Sequence, residues 1–249
     1  MEEPRGHTQA MRAQFALRQR ILSGALKGGQ RLVEMTLAEE IRISRTPIRE
    51  AMSRLVEEGL LERARSGFRV RKFTMPMVRD AIELRGLLEG AAARHAAERG
   101  LDPEEMAQLT DLIARMDTVL DGGLHDGAED QEVRIETFAA LNSEFHGLLA
   151  DLSRSDIFRG EIARTTVIPF ASPSAFVPNH LTRERFFISL MHAQTQHHAI
   201  VEAIGARQGG RAETLVREHA QDPRRNIEFL LAHRDEMQVS FPGAALVQD

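Results

Sequence analysis

Apolar and polar positions follow two different periods along this chain, and the change between them divides it. From about Gln9 to Ser23, Phe15, Ile21 and Leu22 stand among polar residues, with Leu17 and Ala25 nearby; Gly24 and Gly28-Gly29 close this first predicted helix. Thr36 and Glu39 have the Thr-x-x-Glu spacing of a capping box that would open a second short helix. Ile41-Arg42-Ile43-Ser44 reads as a turn, and a third helix follows to Glu58, stopped by Gly59. Pro47 suits its first turn, where its missing N–H has no intrahelical use. Ile48, Ala51, Met52, Leu55 and Val56 form the inner stripe of that helix; Arg45, Thr46, Arg49, Ser53 and Arg54 lie largely outside it. From Leu60 to Lys72 the period falls to two around Arg65-Ser66-Gly67, as in a two-stranded wing with a glycine turn. Three helices and a hairpin in that order predict a winged helix-turn-helix over residues 1–74.

Beyond Met75 the period of two does not return. Helical spacing predicts helices near 76–99, 103–121, 131–152, 155–168, 182–207 and 210–233, broken at Gly100, Gly122-Gly123, Pro169–Pro178 and Gly209-Gly210. Residues 75–249 are thus expected to form an all-α bundle, and the whole chain a mostly α protein. The irregular stretch from Ile168 to Pro178 is either a lid over a cavity or a connection. Pro223 is expected to interrupt or kink the last helix just after His219.

Charge sharpens this division. Residues 1–74 carry 15 Lys+Arg against 9 Asp+Glu, a net of +6, while the remainder carries 17 against 28, a net of −11. A basic module joined to an acidic one suits a polyanion reader coupled to a domain that does not touch the polyanion. The chain has no cysteine, which excludes disulfides and thiolate chemistry. It has no Tyr or Trp, which disfavours stacking on single strands. A polar N-terminus and the lack of a long uncharged apolar run lead to the expectation of a cytoplasmic protein.

Side chains at the front of the third helix are those that reach base edges in a major groove, so double-stranded DNA is the expected partner. Residues 10–73 resemble the N-terminal domain of GntR-family transcription regulators. The resemblance is carried by Gly29-Gln30-Arg31-Leu32, Leu37-Ala38, Ser44-Arg45-Thr46-Pro47-Ile48-Arg49-Glu50-Ala51, Leu55, Gly59-Leu60 and Gly67. It implies that Arg45 and Arg49 enter the groove, where a guanidinium matches the two acceptors of a guanine edge. It also implies that Thr46 meets a phosphate or a thymine methyl, that Arg31 holds phosphate, and that Gly67 lets the wing backbone approach the minor groove. The competing reading is a solvated helix face with surface pairs such as Arg49 with Ser53 or Arg45 with Glu39. Glu50 is expected to be structural, because a carboxylate facing phosphates would oppose binding.

Histidines dominate the chemistry of the second part. Asn142 and His146 are one helical turn apart, with Phe138, Leu141, Phe145 and Leu149 around them. His197 continues the stripe of Ile200, Val201 and Ile204; His219 follows Leu215 and Val216; His198 falls on a polar face. Three inward imidazoles are costly unless each has a partner, either ordinary hydrogen-bond acceptors in the core or a shared metal ion. His95, His192 and His198 are read as surface or supporting residues.

Residues 75–235 also resemble the FCD effector-binding domain of the FadR subgroup. The carriers are Asn142-Ser-Glu-Phe-His146, Gln196-His197-His198-Ala199-Ile200-Val201-Glu202-Ala203-Ile204 and Val216-Arg217-Glu218-His219. The resemblance implies that Asn142, His146, His197 and His219 hold a divalent ion (Zn, Ni, Fe or Mn). Asn142 stands where that family more often has Asp, so the ligand set is uncharged and would favour an anionic effector. Arg85 is similar to the family arginine that pairs with an effector carboxylate; an i,i+4 bridge to Glu89 is the alternative.

The expected function is a ligand-responsive transcription regulator, a repressor, which binds a pseudo-palindromic operator as a homodimer. A small organic acid at the metal-containing cavity would switch it. A metal-dependent hydrolase built on the histidines is the alternative, though no His-Glu-x-x-His unit supplies a general base. A constitutive DNA-binding protein, its bundle serving only dimerisation, is the third reading.

Overall fold

The computed structural model describes residues 5–121, 128–166, 183–232 and 246–247. They divide into two compact units, and the division falls inside one helix, after Val78; Leu246 and Val247 group with the first unit. The segment from Ile168 to Pro178 lies outside the described residues.

The first unit runs α1 (Arg5–Leu22), β1 (Arg31–Leu32), α2 (Glu34–Ile41), α3 (Arg45–Glu57), β2 (Leu61–Arg63) and β3 (Phe68–Val70). Helix α1 packs on α3. Leu17 and Ile21 of α1 and Ile48, Ala51, Met52 and Leu55 of α3 are fully buried, while Phe15 is exposed. The wing is a three-stranded antiparallel sheet in the order β1-β3-β2, with Arg31 opposite Arg69 and Glu62 opposite Arg69. The period-two pattern accounts for β2 and β3. The two-residue β1 carries no periodic signal and exists through its pairing with β3.

That strand also corrects the expected start of α2. The helix begins at Glu34 behind an extended Val33 (φ −107°, ψ 116°), and no side chain caps it. Thr36 therefore lies inside the first turn, and the Thr36/Glu39 capping box does not form. Strand pairing places Arg31 and Leu32, and the chain turns into the helix at once, before Thr36 is reached. Arg42 (φ 56°) ends α2 in the left-handed region, and Gly59 (φ 71°) follows α3.

The regular elements of the second unit, among the described residues, are all helices: α4 (Met75–Arg99, in this unit from Arg79), α5 (Pro103–Leu120), α6 (Ala128–Leu152), α7 (Asp156–Thr166), α8 (Arg183–Gly205), α9 (Gly209–His219) and α10 (Gln221–Ala232). Asp102 caps α5 in a reciprocal capping box with Glu105, and Pro103 occupies its first position. Phe145, Leu149, Leu109, Met116, Ile200 and Val216 lie in one buried apolar cluster. The last expected helix is two helices. The break falls at Ala220, ahead of Pro223, which sits in the first turn of α10 where its ring is tolerated. No helix among the described residues is long and apolar enough to cross a membrane.

Candidate DNA-reading face and metal centre

Arg45 opens α3 and Arg49 follows one turn later, so both guanidinium groups leave the same end of the helix. Their side chains are 67% and 70% exposed, as groove-entering arginines require. Neither pairs with Glu39 or Ser53. Both face the single carboxylate of Glu34, Arg45 Nη2 at 3.6 Å from Oε2 and Arg49 Nε at 3.7 Å from Oε1. Thr46 is exposed beside them. Arg54 bonds Glu50 at 2.7 Å across one turn, which removes it from the candidate readers and gives Glu50 a structural partner. At the wing, Gly67 has φ +89°, and a Cβ there would stand 3.4 Å from the Leu32 carbonyl oxygen. Arg31 donates to Ser66 Oγ next to it, so the structure ties the expected phosphate-binding arginine to the wing tip.

In the second unit, α6, α8 and α9 bring His146, His197 and His219 together, all buried. The His219 Nε2 lies 3.2 Å from His197 Nε2 and 3.3 Å from His146 Nε2. The opposite nitrogens all have partners: His146 Nδ1 at 3.1 Å from Glu89 Oε2, His197 Nδ1 at 3.1 Å from Gln194 Oε1, and His219 Nδ1 at 2.7 Å from Gln196 Oε1. Carboxylate and amide oxygens only accept, so each Nδ1 carries the proton. Each ring then turns its Nε2 into the cluster. Burial, and then the neighbouring imidazoles, push His197 and His219 well below the ordinary histidine range, which keeps them neutral.

This donor set fits a cation. Nitrogens bound at about 2.1 Å to one ion and about 100° apart would be separated by about 3.2 Å. Acceptors behind a ligating histidine are the usual means of fixing its tautomer and orientation. Asn142, one turn before His146, is buried and lines the same cavity.

Glu89 is the residue that sequence reasoning undervalued. It entered only as a possible partner for Arg85, yet its Oε2 also holds His146 Nδ1 and lies 4.0 Å from Arg85 Nε. Burial opposes the carboxylate, but His146 and Arg85 outweigh that opposition and hold it at about 2. Its signal in the chain is an acid one turn after Arg85 on the apolar helix α4. Gln194 and Gln196 also went unassigned, although Gln194 sits one turn before His197. Of the other histidines, His198 is exposed against Asp117 and His192 is exposed against Asp222; His95 packs edge-on to Phe158.

A cavity partly open to solvent adjoins the cluster. Phe138, Ile135 and Leu190 give it apolar walls; Arg85, His146 and His219 are polar lining groups. Arg85 is 1% exposed, and its Nε and Nη1 make no hydrogen bond. These donors of a buried guanidinium lie beside the cavity, with Glu89 Oε2 4.0 Å from Nε. Glu144 is exposed and faces Arg115 at 3.3 Å, so it cannot serve the cluster as a general base.

A winged helix-turn-helix with a basic leading turn, in one chain with a helical domain that holds a cavity, defines a transcription regulator as a class. The chain belongs to the gntR family of bacterial regulatory proteins: residues 10–70 match that family and residues 80–222 match the FCD domain. It is 36% identical over 129 residues to the Nta operon transcriptional regulator of Aminobacter aminovorans, covering 51% of this chain and 56% of that one. It is 26% identical over 226 residues to the Glc operon transcriptional activator of Escherichia coli, covering 83% and 84%. Other relatives are named repressors of a gluconate and of a D-xylose utilization operon. The chain spans a little over half the length of the first relatives it matches, 56% and 58%. The solved structure of E. coli McbR/YncC shares the fold, with a TM-score of 0.60 at 24% identity over 90% of this chain and 98% of that one. Its relatives and both families are transcription regulators, which sets the hydrolase reading aside.

Proposed function

We propose that this transcription regulator is a repressor that binds a pseudo-palindromic operator as a homodimer and is switched by a small organic acid. Arg45, Thr46 and Arg49 read base edges, while Arg31 and the Gly67 turn hold the wing against the backbone. His146, His197 and His219 hold a divalent ion through Nε2, with the Asn142 side chain as the fourth protein ligand. The ion supplies a Lewis-acid anchor for one end of an anionic effector. Arg85 receives a carboxylate through donors that are otherwise idle, and Phe138, Ile135 and Leu190 shape the remainder of the ligand.

The convergence of three Nε2 atoms, each ring held from behind by an acceptor, carries this reading. Glu89 offsets the charge of Arg85, and four uncharged ligands would leave the charge of a bound ion uncompensated, which selects anions. Switching requires the acid to bind one arrangement of the helical domain more tightly than the other, since equal affinity shifts nothing.

The test combines elemental analysis of the purified chain with a thermal-shift screen of small organic acids, before and after chelation. About one divalent ion per chain is expected, with a subset of acids that raise the melting temperature only in the metal-loaded protein. No bound metal in protein grown with all four candidate ions would refute the metal reading.

A further inference from the structure

Glu34 stands outside every role assigned so far, yet it touches both arginines of the reading face. Its side chain is 19% exposed, against 67% for Arg45 and 70% for Arg49, so the acid is the buried partner and the arginines are the exposed ones. Its two oxygens are divided between them, Oε2 toward Arg45 and Oε1 toward Arg49. Separations of 3.6 and 3.7 Å exceed hydrogen-bonding distance but are well inside a Debye length of about 8 Å, so charge rather than bonding is the link. The neighbouring ion pairs of this unit differ: Arg18 uses Glu58, Arg20 uses Glu40 and Arg54 uses Glu50, one acid for one arginine.

A carboxylate on a DNA-binding face repels phosphate and lowers affinity for any duplex. It is therefore hard to explain as an aid to binding in general. Without it, two long, exposed guanidinium groups would spread to whichever phosphates lay nearest, a contact available on every sequence. With it, leaving Glu34 has a cost that a single phosphate contact repays poorly and a two-donor contact to a guanine edge repays well.

We infer that Glu34 is a specificity-determining positioning residue, which holds Arg45 and Arg49 together and penalises their use on non-cognate DNA. The inference rests on the proposed base-reading role of those two arginines. It adds that discrimination resides in a third residue, one that opposes DNA and acts through the pair.

The experiment exposes the full-length wild-type chain and Glu34→Gln to one random-sequence duplex pool at one stated salt concentration. Affinities are then measured by fluorescence anisotropy for the duplex enriched by wild type and for the unselected pool. Glu34→Gln is expected to bind the unselected pool about 3–10-fold tighter, with a log–log salt slope steeper by about one. The ratio of enriched to unselected affinity is expected to fall about tenfold. Glu34→Asp, which retains the charge, should recover most of that ratio. Glu34→Ser carries the same expectation as Gln and replaces it if the Gln variant does not fold.

A ratio within about twofold of wild type in the charge-free variant overturns the inference, whatever happens to absolute affinity. So does equal weakening on both DNAs with a lowered melting temperature, the signature of an acid that merely stabilises the first turn of α2. A wild-type chain that enriches no duplex refutes the DNA-reading assignment itself. Enrichment by wild type together with an unchanged ratio in the variant refutes only the role of Glu34.

Discussion

Replacing Glu89 with glutamine removes one charge from the interior of the helical domain and almost no volume. Glu89 is 1% exposed, accepts from His146 Nδ1 at 3.1 Å, and is the nearest carboxylate to the buried Arg85 at 4.0 Å. The fold holds its carboxyl at about 2, against 4.5 for an ordinary glutamate. At about 1.4 kcal/mol for each unit of that difference, the ionised form contributes on the order of 3 kcal/mol. A second route reaches a similar figure: removing one partner of a buried ion pair costs about 3–5 kcal/mol, because the other charge is left uncompensated. Glu89→Gln should therefore lower the urea-unfolding free energy of the metal-free protein by about 3 kcal/mol at pH 7. The glutamine oxygen still accepts from His146, so the imidazole keeps its tautomer. Metal affinity should nevertheless fall about 10–100-fold with the loss of a carboxylate behind the ligand.

The pH dependence provides a sign that packing changes cannot imitate. A depressed carboxyl stabilises the fold fully above its unfolded value and loses that contribution as pH falls through its folded value. The gap between wild type and Glu89→Gln should be constant above about pH 5 and should close as pH falls toward about 2. Variant and wild type within about 0.5 kcal/mol at pH 7 would refute the reasoning, because a buried carboxylate in that position would then contribute nothing.

The other predictions concern separate parts of the molecule. Arg49→Ala should weaken binding to the selected operator by about 1–3 kcal/mol at fixed salt, measured by anisotropy, and relax preference at one guanine; unchanged affinity refutes the reading face. His197 and His219 are held well below the ordinary 6.5, so the unfolded chain binds more protons as pH drops past that value. The chelated protein should accordingly lose stability as pH falls below about 6.5, seen as a falling urea midpoint, and His219→Ala should flatten that dependence. Gly86 lies where an added Cβ would stand 2.7 Å from Ala220 Cβ, so Gly86→Ala should push α4 away from the junction of α9 and α10 and cost about 1–3 kcal/mol in urea unfolding.

Much of the regulator was legible along the chain where local chemistry and long-range packing agree. The stripe of Ile48, Ala51, Met52 and Leu55 is the buried face of α3, and Arg45 and Arg49 fall outside it, because an isolated helix already separates those faces. His146, His197 and His219 were read as inward because apolar neighbours at helical spacing surround each one. The readings that failed were those in which a distant partner outweighs a local signal. The capping box at Thr36 has correct chemistry, but pairing of Arg31 and Leu32 with β3 starts the helix at Glu34. The alternative pairing of Arg45 with Glu39 is likewise displaced, because Glu34 faces both arginines once α2 and α3 are packed.

The linear chain thus determined by itself that a basic winged module precedes an acidic helical one, and which residue types each could offer. Helical period, capping residues and charge are properties of neighbours within a few positions, so they survive without a fold. Only the tertiary structure decided that Nε2 atoms from three helices meet in one cluster, that Glu89 stands behind His146, and that Glu34 faces both Arg45 and Arg49. These are distances between residues up to 73 positions apart, set by how helices pack, and no spacing along the chain encodes them.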